Sequence, residues 1–394
     1  MKTVNIVKVF FAGICLFISN LCTAYNGEEG LTEKASKRVK FEAKTERNVE
    51  VRLTNKYGKI TIVSWEKDSV KLTAEISAVA KTKDEAEKIV QRVYLEPVYD
   101  EKYFILTTEI TEKASGNVIS QLIDNLVEKG KEAIDKTNIE INLTVMMPER
   151  GKLILNNKYG DIGFERNFKG NLQLTLAYGN LHASNLPPFA NLNLQSCKAF
   201  INSVQNGRIA LKYGTLNLKS ADRLYLESSS SEINIDEIKD LDIDSRNDDF
   251  DVIVLHSFTG KTSLSKVFVQ EMKQKARLEM QGGSFKIRTL KPTFEWIDIQ
   301  SKSTDIKITP EENLAYQLDI SGTPTEVISN EAGGNRKDNG NKSNLPSLIQ
   351  GLTNDSKSNP LNQLNSNFGS NANSGNGSKK VIKINATGGQ VMVK

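Results

Sequence analysis

The sequence predicts a mainly β protein, a parallel β-solenoid wound in coils of about 15 to 21 residues. One observation is the phrase NKYG, which occurs at Asn55 and again at Asn157, each time followed by alternating apolar residues. Shorter Tyr-Gly phrases return at Tyr178 and Tyr213. The spacing is too short for a strand–helix–strand unit, which needs about 30 residues, but it suits a coil of two or three short strands.

The apolar residues change parity at each Tyr-Gly. In the first copy Val51 and Leu53 lie an even number of residues before Tyr57, whereas Ile60 and Ile62 lie an odd number after it. Side chains alternate between the two faces of a strand, so a change of parity indicates one extra residue at a bend. The two arms on either side of the bend can then point their apolar faces into one core.

The same pattern fits ten copies, several of which lack the Tyr-Gly pair. With the Tyr taken as the corner position, the corners are Tyr57, Tyr159, Tyr178, Tyr213, Ser230, Asn247, Gly282, Ser303, Pro324 and Gly388. Two further units, at 191–204 and 261–269, fit loosely. The residue after the corner is Gly, Ser, Asp or Thr, and we expect it to allow left-handed backbone or a tight turn.

The handedness of the solenoid and one alternative fold stay open at the sequence level. Right-handed coiling is the default for parallel crossovers. A sandwich of antiparallel hairpins is the alternative fold, although it does not explain the repeated bend.

The first 24 residues have the features of a signal peptide. Lys2 and Lys8 precede an apolar run at 9–18 that is too short to span a bilayer, which takes about 20 residues. Small residues then indicate cleavage after Ala24. Acylation at Cys22 is the alternative. It is disfavoured because the residue before the cysteine is a leucine, where a lipoprotein signal has a small residue. We therefore predict export through the Sec pathway to the periplasm or the cell surface.

Charge and cysteine content exclude several classes. The formal net charge is +4, and removing two leader lysines leaves about +2, so nothing favours a nucleic-acid partner. Cys197 is the one cysteine left after cleavage, which excludes an intramolecular disulfide. No second apolar stretch reaches transmembrane length, so we expect no transmembrane segment in the mature chain.

Two amphipathic helices are predicted in the N-terminal third. Residues 83–93 place Ala86, Ile89, Val90 and Val93 at helical spacing, and residues 118–136 have a similar pattern. Both are expected to cover a sheet edge, with partner binding as the alternative. The predicted organisation is a signal peptide at 1–24, an N-terminal β-rich part at 25–170, regular coils at 171–329, a disordered Asn/Ser/Gly-rich insertion at 330–380 and a final coil at 381–394.

Catalytic chemistry is not indicated. Neither His182 nor His256 has cysteines or carboxylates at metal-ligand spacing, and no nucleophile elbow or phosphate loop is present. The densest acidic patch is 245–251, where Asp248 and Asp249 occupy corner positions that favour Asp for structural reasons. We predict no catalytic residue, no cofactor and no metal, and hence a protein that is not an enzyme. The rival hypothesis is a β-helix enzyme that uses these carboxylates on a polysaccharide.

The four tyrosines at corner positions are the candidate binding residues. Tyr57, Tyr159, Tyr178 and Tyr213 are expected at equivalent points on their coils, and the consecutive Tyr159 and Tyr178 can stack. An exposed aromatic ladder could bind sugar rings. The alternative is that each Tyr closes the core while its hydroxyl stays in water.

The leader, the NKYG phrases at Asn55 and Asn157, the Trp65 that follows the first, and the later Tyr-Gly copies resemble the putative-adhesin domain family, exported repeat-built β proteins of Gram-negative bacteria. The resemblance covers most of residues 40–329. It implies a non-enzymatic parallel β-solenoid on the cell surface or in the periplasm, and it names no ligand. We predict an adhesin-like binding or scaffolding surface at the cell envelope, with a protein or polysaccharide as its unidentified partner. The alternatives are a carbohydrate-active protein and a self-assembling envelope structure, and the oligomeric state stays open.

Overall fold

The computed structural model describes residues 33–111, 138–329 and 380–394. Most of these residues, 72%, lie in strands, and most of the strands belong to one large, parallel-rich sheet. The prediction of a mainly β fold with parallel pairing is therefore confirmed. The predicted signal peptide at 1–24 and most of the predicted insertion at 330–380 lie outside the described residues.

The N-terminal part combines antiparallel and parallel strands with one helix. Its elements are β1 (Glu33–Lys44), β2 (Glu50–Lys56), β3 (Ile60–Trp65), β4 (Ser69–Ala80), α1 (Lys83–Gln91), β5 (Val93–Tyr94), β6 (Val98–Tyr99), β7 (Tyr103–Thr107), β8 (Glu109–Ile110) and β9 (Ile139–Pro148). β4 pairs antiparallel with both β1 and β9, and β9 continues into the parallel region through β3.

The remaining strands form the repeated part. They are β10 (Lys152–Lys158), β11 (Ile162–Phe164), β12 (Asn171–Ala177), β13 (Asn180–Leu186), β14 (Ala190–Gln195), β15 (Lys198–Lys212), β16 (Thr215–Ser229), β17 (Glu232–Arg246), β18 (Asp249–Ser263), β19 (Lys266–Gln281), β20 (Ser284–Leu290), β21 (Trp296–Lys302), β22 (Asp305–Pro310), β23 (Gln317–Thr323), β24 (Glu326–Ser329), β25 (Val381–Thr387) and β26 (Gln390–Val393). The long strands β15 to β19 each join the arm after one corner to the arm before the next.

Each arm pairs in parallel with the same arm of the next unit. Lys198 pairs with Thr215 and Thr215 with Glu232, an offset of 17 residues that continues from β17 to β18. The same pairing joins β2 to β10 and β3 to β11, although about a hundred residues of chain separate these units. Sequence-distant and sequence-adjacent units therefore follow one geometry.

The apolar residues on both sides of each corner face one continuous core. Leu211 lies two residues before Tyr213 and Leu216 three residues after it, and both side chains are fully buried. The buried aliphatic side chains of the neighbouring units extend the same cluster. The change of parity thus has the predicted structural basis, which is an extra residue at a bend.

The conformation of the corner differs from the prediction. At every predicted corner except Pro324 the corner residue itself is left-handed, with φ of 61° at Tyr57 and Tyr159 and 55° at Tyr213. The residue after it is left-handed as well only at Gly283 and Gly389. Glycine occupies the position after the corner for another reason, which is the close approach of adjacent units. A Cβ on Gly160 would lie 2.1 Å from the carbonyl oxygen of Gly58 in the adjacent unit, so these units can approach each other only if glycine occupies this position.

The two loosely fitting units are complete units of the fold. Their corners are Ser196, with φ of 52°, and Leu264, with φ of 59°. The sequence pattern misses them because Ala199 and Gly260 stand where larger aliphatic residues are expected. Gly260 itself is required, since a Cβ there would lie 2.1 Å from the oxygen of Ile243.

The helix predicted at 83–93 is present as α1. Thr82 caps its first turn by accepting a hydrogen bond from the backbone N–H of Glu85, and Ala86 and Val90 are buried where the helix packs on β1 and β4. The second predicted helix, at 118–136, lies outside the described residues. The expectation of two helices is therefore not borne out, because the described part of the chain contains one.

Chain order and spatial order differ at the C-terminal end. β25 pairs with β21 on one side and with β23 on the other, and β26 lies between β22 and β24 in the same way. The segment 381–394, predicted as the final coil, thus lies inside the stack of units. β23 and β24 form its outer end in the described part of the chain.

Candidate functional site

The corner residues form one column along an edge of the molecule, named here the corner column. Each corner residue donates its backbone N–H to the residue just before the next corner, as Tyr159 does to the oxygen of Ala177 at 2.9 Å. Neighbouring corners are therefore about 4.8 Å apart, the spacing of paired strands. In spatial order the column contains Tyr57, Tyr159, Tyr178, Ser196, Tyr213, Ser230, Asn247, Leu264, Gly282, Ser303, Gly388 and, at its end, the predicted corner Pro324, which has no N–H to donate.

Three of the four candidate tyrosines form a continuous stack. The ring centroids of Tyr57 and Tyr159 are 5.5 Å apart with planes 4° apart, and those of Tyr159 and Tyr178 are 5.1 Å and 13° apart. The Nζ of Lys158 lies 4.8 Å from the centroid of Tyr159 and 5.7 Å from that of Tyr178. Because the rings cover each other's faces, this stack presents mainly ring edges and hydroxyl groups.

Tyr213 is separated from the stack by the corner residue Ser196. Its other neighbour in the column is Ser230, so small side chains flank it on both sides. Among the described residues it has no stacked ring partner, and 64% of its surface is exposed. Tyr213 is therefore the corner tyrosine whose ring faces are free for a ligand.

An open groove of about 660 Å³ lies beside Tyr213. The side chains of Tyr213 and Leu264 lie at opposite ends of its main part, about 14 Å or three strand spacings apart. Between them lie the smaller side chains of Ser230 and Asn247. Charged side chains follow its margin. The groove is lined by Ser196, Cys197, Lys198, Tyr213, Gly214, Thr215, Ser230, Ser231, Glu232, Asn247, Asp248, Asp249, Leu264 and Lys266.

Leu264 has an unusual conformation for its residue type. Its φ is 59°, and 60% of its surface is exposed. Left-handed backbone costs a residue with a branched side chain about 1–2 kcal/mol. Burial of the leucine offsets little of this cost. Strain of this kind concentrates at functional sites, and here it places an apolar side chain at the end of the groove.

Asp248 forms the floor of the groove and is nearly fully buried. Its Oδ2 accepts hydrogen bonds from Ser228 Oγ and Ser245 Oγ, each at 2.7 Å, and from the backbone N–H of Arg246 at 3.1 Å. Its Oδ1 accepts from the backbone N–H of Ser231 at 2.8 Å. The carboxylate is thus committed to holding adjacent units together, as the structural interpretation of this corner predicts. Asp249, next in the chain, is exposed.

The remaining reactive side chains do not form a catalytic arrangement. His182 stacks on Phe200 with centroids 5.2 Å apart, and His256 Nε2 lies 3.4 Å from a carboxylate oxygen of Glu237. Burial raises the pKa of the Cys197 thiol, which donates to the oxygen of Leu176 at 3.2 Å. A protonated, hydrogen-bonded thiol is a poor nucleophile. Within 33–111, 138–329 and 380–394, no group of three or more His, Cys, Asp or Glu residues is placed to hold a metal ion.

The sequence identified the tyrosines of this site but missed the groove. Ser196 and Leu264 belong to the two loosely fitting units, and nothing in the sequence pattern indicates that Tyr213 has free ring faces. The signal that could have found them is the apolar residue at a corner position otherwise occupied by Tyr, Ser, Asn or Gly.

Among the described residues, no helix is both long enough and apolar enough to span a membrane. No family model matches the chain. No curated protein matches it either.

Two solved structures are similar to this chain. One is a putative adhesin from Bacteroides fragilis NCTC 9343, with 11% sequence identity, a TM-score of 0.31, and coverage of 70% of this chain and 97% of that chain. The other is a putative cell adhesion protein from Clostridium sporogenes ATCC 15579, with 10% identity, a TM-score of 0.19, and coverage of 92% and 100%. TM-scores this low carry no argument, so conclusions about function depend on this chain's own residues.

Proposed function

We propose that this protein is an exported β-solenoid that works as a non-catalytic, adhesin-like binding surface at the cell envelope, and that the groove of the corner column binds an extended glycan. The observation that carries the proposal is the exposed pair Tyr213 and Leu264, both held in left-handed backbone at the two ends of one groove. Because both side chains are exposed, burial does not compensate for the strain of their left-handed backbone, and this favours a binding role.

The chemistry of the groove is amphipathic in the way that sugar rings are. The free face of Tyr213 can pack against the C–H face of a pyranose ring, as aromatic side chains do with apolar surfaces that have polar rims. Ser230 and Asn247 offer hydroxyl and amide groups between the two apolar ends. The margin carries both signs of charge, with Lys198 and Lys266 as well as Glu232, so neutral chains are favoured over strongly charged ones.

The solenoid is supported by the constant offset between paired arms and by the single core beneath the corners. The repeated geometry brings corner residues that are far apart in the chain to one edge at a regular spacing, and this forms the binding surface. Such an edge is extended and rigid. It suits a repetitive polymer better than a small compact ligand.

Binding of the purified chain to immobilised neutral and acidic oligosaccharides tests the proposal. The key variant is Tyr213→Ser, for which we expect affinity to fall at least about tenfold, the loss of one stacking contact worth about 1.4 kcal/mol. Serine already occupies the corner at Ser196 and Ser230 with similar φ, so the fold tolerates this change. A matched control is Phe200→Ser, another exposed aromatic change away from the groove.

Equal loss of binding in both variants, or no binding to any glycan, would reject the glycan groove. The same assay separates the proposal from the enzyme hypothesis. Release of reducing ends by the purified chain, abolished by Asp249→Ala, would show catalysis and overturn the non-catalytic part. Protease accessibility on intact cells checks the location, since only a surface protein is cleaved without opening the envelope.

A further inference from the structure

The C-terminal strand pair β25–β26 occupies a place that chain order does not predict. Ile382 pairs with Ile297 on one side and with Leu318 on the other, so the last residues of the chain lie between two units that precede them. We name the space between β21–β22 and β23–β24 the slot. In the N-terminal part β9 similarly lies between the consecutive strands β3 and β4. Among the repeated units of the described chain, the slot is the one place where a later unit separates two consecutive earlier ones.

The strand pair is deeply enclosed in the slot. All of its inward side chains are fully buried, namely Ile382, Ile384, Ala386, Val391 and Val393. The outer strands are much less buried, because Leu318 and Ile320 on β23 are only half-buried. The outermost unit is therefore held on one side only, by the C-terminal strands. Loss of these strands from the slot would remove the present packing partners of the inward residues on both sides of it.

The two walls of the slot, β21 and β23, pair with β25 in the same register and carry similar inward residues. Ile299 and Ile320 both pair with Ile384, so the same inward position carries isoleucine in all three strands. β23 can therefore pair with β21 directly in the same register when the slot is empty. Filling the slot adds parallel pairing along both edges of β25 without a change in the register of either wall.

The connection to the strand pair is much longer than the geometry requires. Fifty residues separate Ser329, at the end of β24, from Lys380, just before β25, although Ser329 itself pairs with Val393. Fifty extended residues reach at most about 165–180 Å. The effective concentration of a tethered segment falls as its connection lengthens, so a strand pair from another molecule can compete for the slot.

From the enclosed strands, the matching walls and the long connection, we propose that β25–β26 acts as a donor strand pair that fills the slot of a second copy of this chain. The exchange leaves the recipient's own donor free to enter another slot, so copies join in rings or open chains. This surface is distinct from the corner column, and the inference does not depend on glycan binding.

The test uses disulfide trapping between copies of the full chain. The background carries Cys15→Ser and Cys22→Ser, which leaves buried Cys197 as the one native cysteine. Gln300→Cys is introduced in one protein and Asn385→Cys in another. These exposed residues are paired between the wall strand β21 and the donor strand β25. Paired residues on adjacent strands lie within the Cα separation that a disulfide needs.

A matched control pair lies at the same corner-relative position on directly connected units. It consists of Glu227→Cys and Asp244→Cys in separate proteins. The short connection between these units fixes their pairing within one chain. A third protein carries both Gln300→Cys and Asn385→Cys and checks the register of the strand pair itself.

The two single variants are unfolded and refolded together at high concentration under mild oxidation, and non-reducing gels measure linked dimers. We expect about tenfold more dimer from the slot pair than from the control pair. Dimer at the control level overturns the exchange if the double variant links within one chain. Failure of the double variant to link overturns the proposed slot geometry itself.

Discussion

Ser228 Oγ donates a 2.7 Å hydrogen bond to Oδ2 of Asp248, which lies in the adjacent unit. Asp248 accepts from three further donors and lies at a corner that the sequence marks only as acidic. A buried carboxylate without a cation is tolerated when hydrogen-bond donors satisfy its oxygens. One side chain therefore joins two adjacent units of the stack.

Asp248→Ala is expected to lower the free energy of unfolding by about 2–4 kcal/mol, because buried donors lose their acceptor. Asp248→Asn is expected to cost less, since serine hydroxyls can accept from its amide while Oδ1 keeps its bond. Thermal unfolding followed by circular dichroism measures both. The control is the exposed Asp249→Ala, expected within about 0.5 kcal/mol of the parent. Equal effects of the two alanine variants would contradict the role of Asp248.

Gly160 and Gly163 form a second matched pair. A Cβ at Gly160 would lie 2.1 Å from the backbone oxygen of Gly58, which cannot move without shifting the adjacent unit. At Gly163 the nearest atom is the flexible side-chain Cε of Lys59 at 3.5 Å, which is ordinary contact. We expect Gly160→Ala to cost about 3 kcal/mol or more and Gly163→Ala less than about 1 kcal/mol, measured by urea unfolding. A similar midpoint for both variants would show that the units are not this close.

Part of the fold follows from the sequence for a simple reason. A change of parity has only one easy explanation in a strand, so the burial of Leu211 and Leu216 around Tyr213 was predictable. The order of units joined by long connections was not. Every unit has the same pattern, so nothing in the sequence says that β25 lies between β21 and β23.

The candidate site shows the same limit. Equivalent positions for the tyrosines follow from the repeat, and the stacking of Tyr159 on Tyr178 was expected. The addition of Tyr57 to that stack depends on pairing across about a hundred residues. The groove depends on Leu264, whose unit was hidden by a glycine at an apolar position. Local periodicity predicts the shape of a unit, whereas surfaces arise from the order in which units meet.

Leu264→Asn tests whether strain is retained for binding. Asparagine tolerates left-handed backbone better than leucine, so we expect the variant to be more stable by about 1 kcal/mol. We also expect weaker glycan binding, because the apolar end of the groove is lost. Urea unfolding and the oligosaccharide assay measure the two effects on the same preparation. A less stable variant would show that the leucine contributes packing that outweighs its backbone strain.

The carboxyl group of Asp242 makes stability depend on pH. Burial raises the pKa of Asp242 in the folded protein, and the nearby charge of Asp244 raises it further, against a hydrogen bond from Thr259 that lowers it. A carboxyl with a raised pKa binds its proton more tightly when folded. Its contribution is therefore fully present below the ordinary carboxyl pKa and is lost as pH rises through the raised one.

Asp242→Asn cannot ionise, so it is expected to melt at a higher temperature than the parent at pH 7. The difference should shrink as pH falls and vanish near about pH 3, where the parent carboxyl is protonated in both states. Paired melting curves of parent and variant across this range measure the effect. A difference of constant size at every pH would mean that the substitution acts through packing rather than through the buried charge, because only ionisation of Asp242 can make it vary.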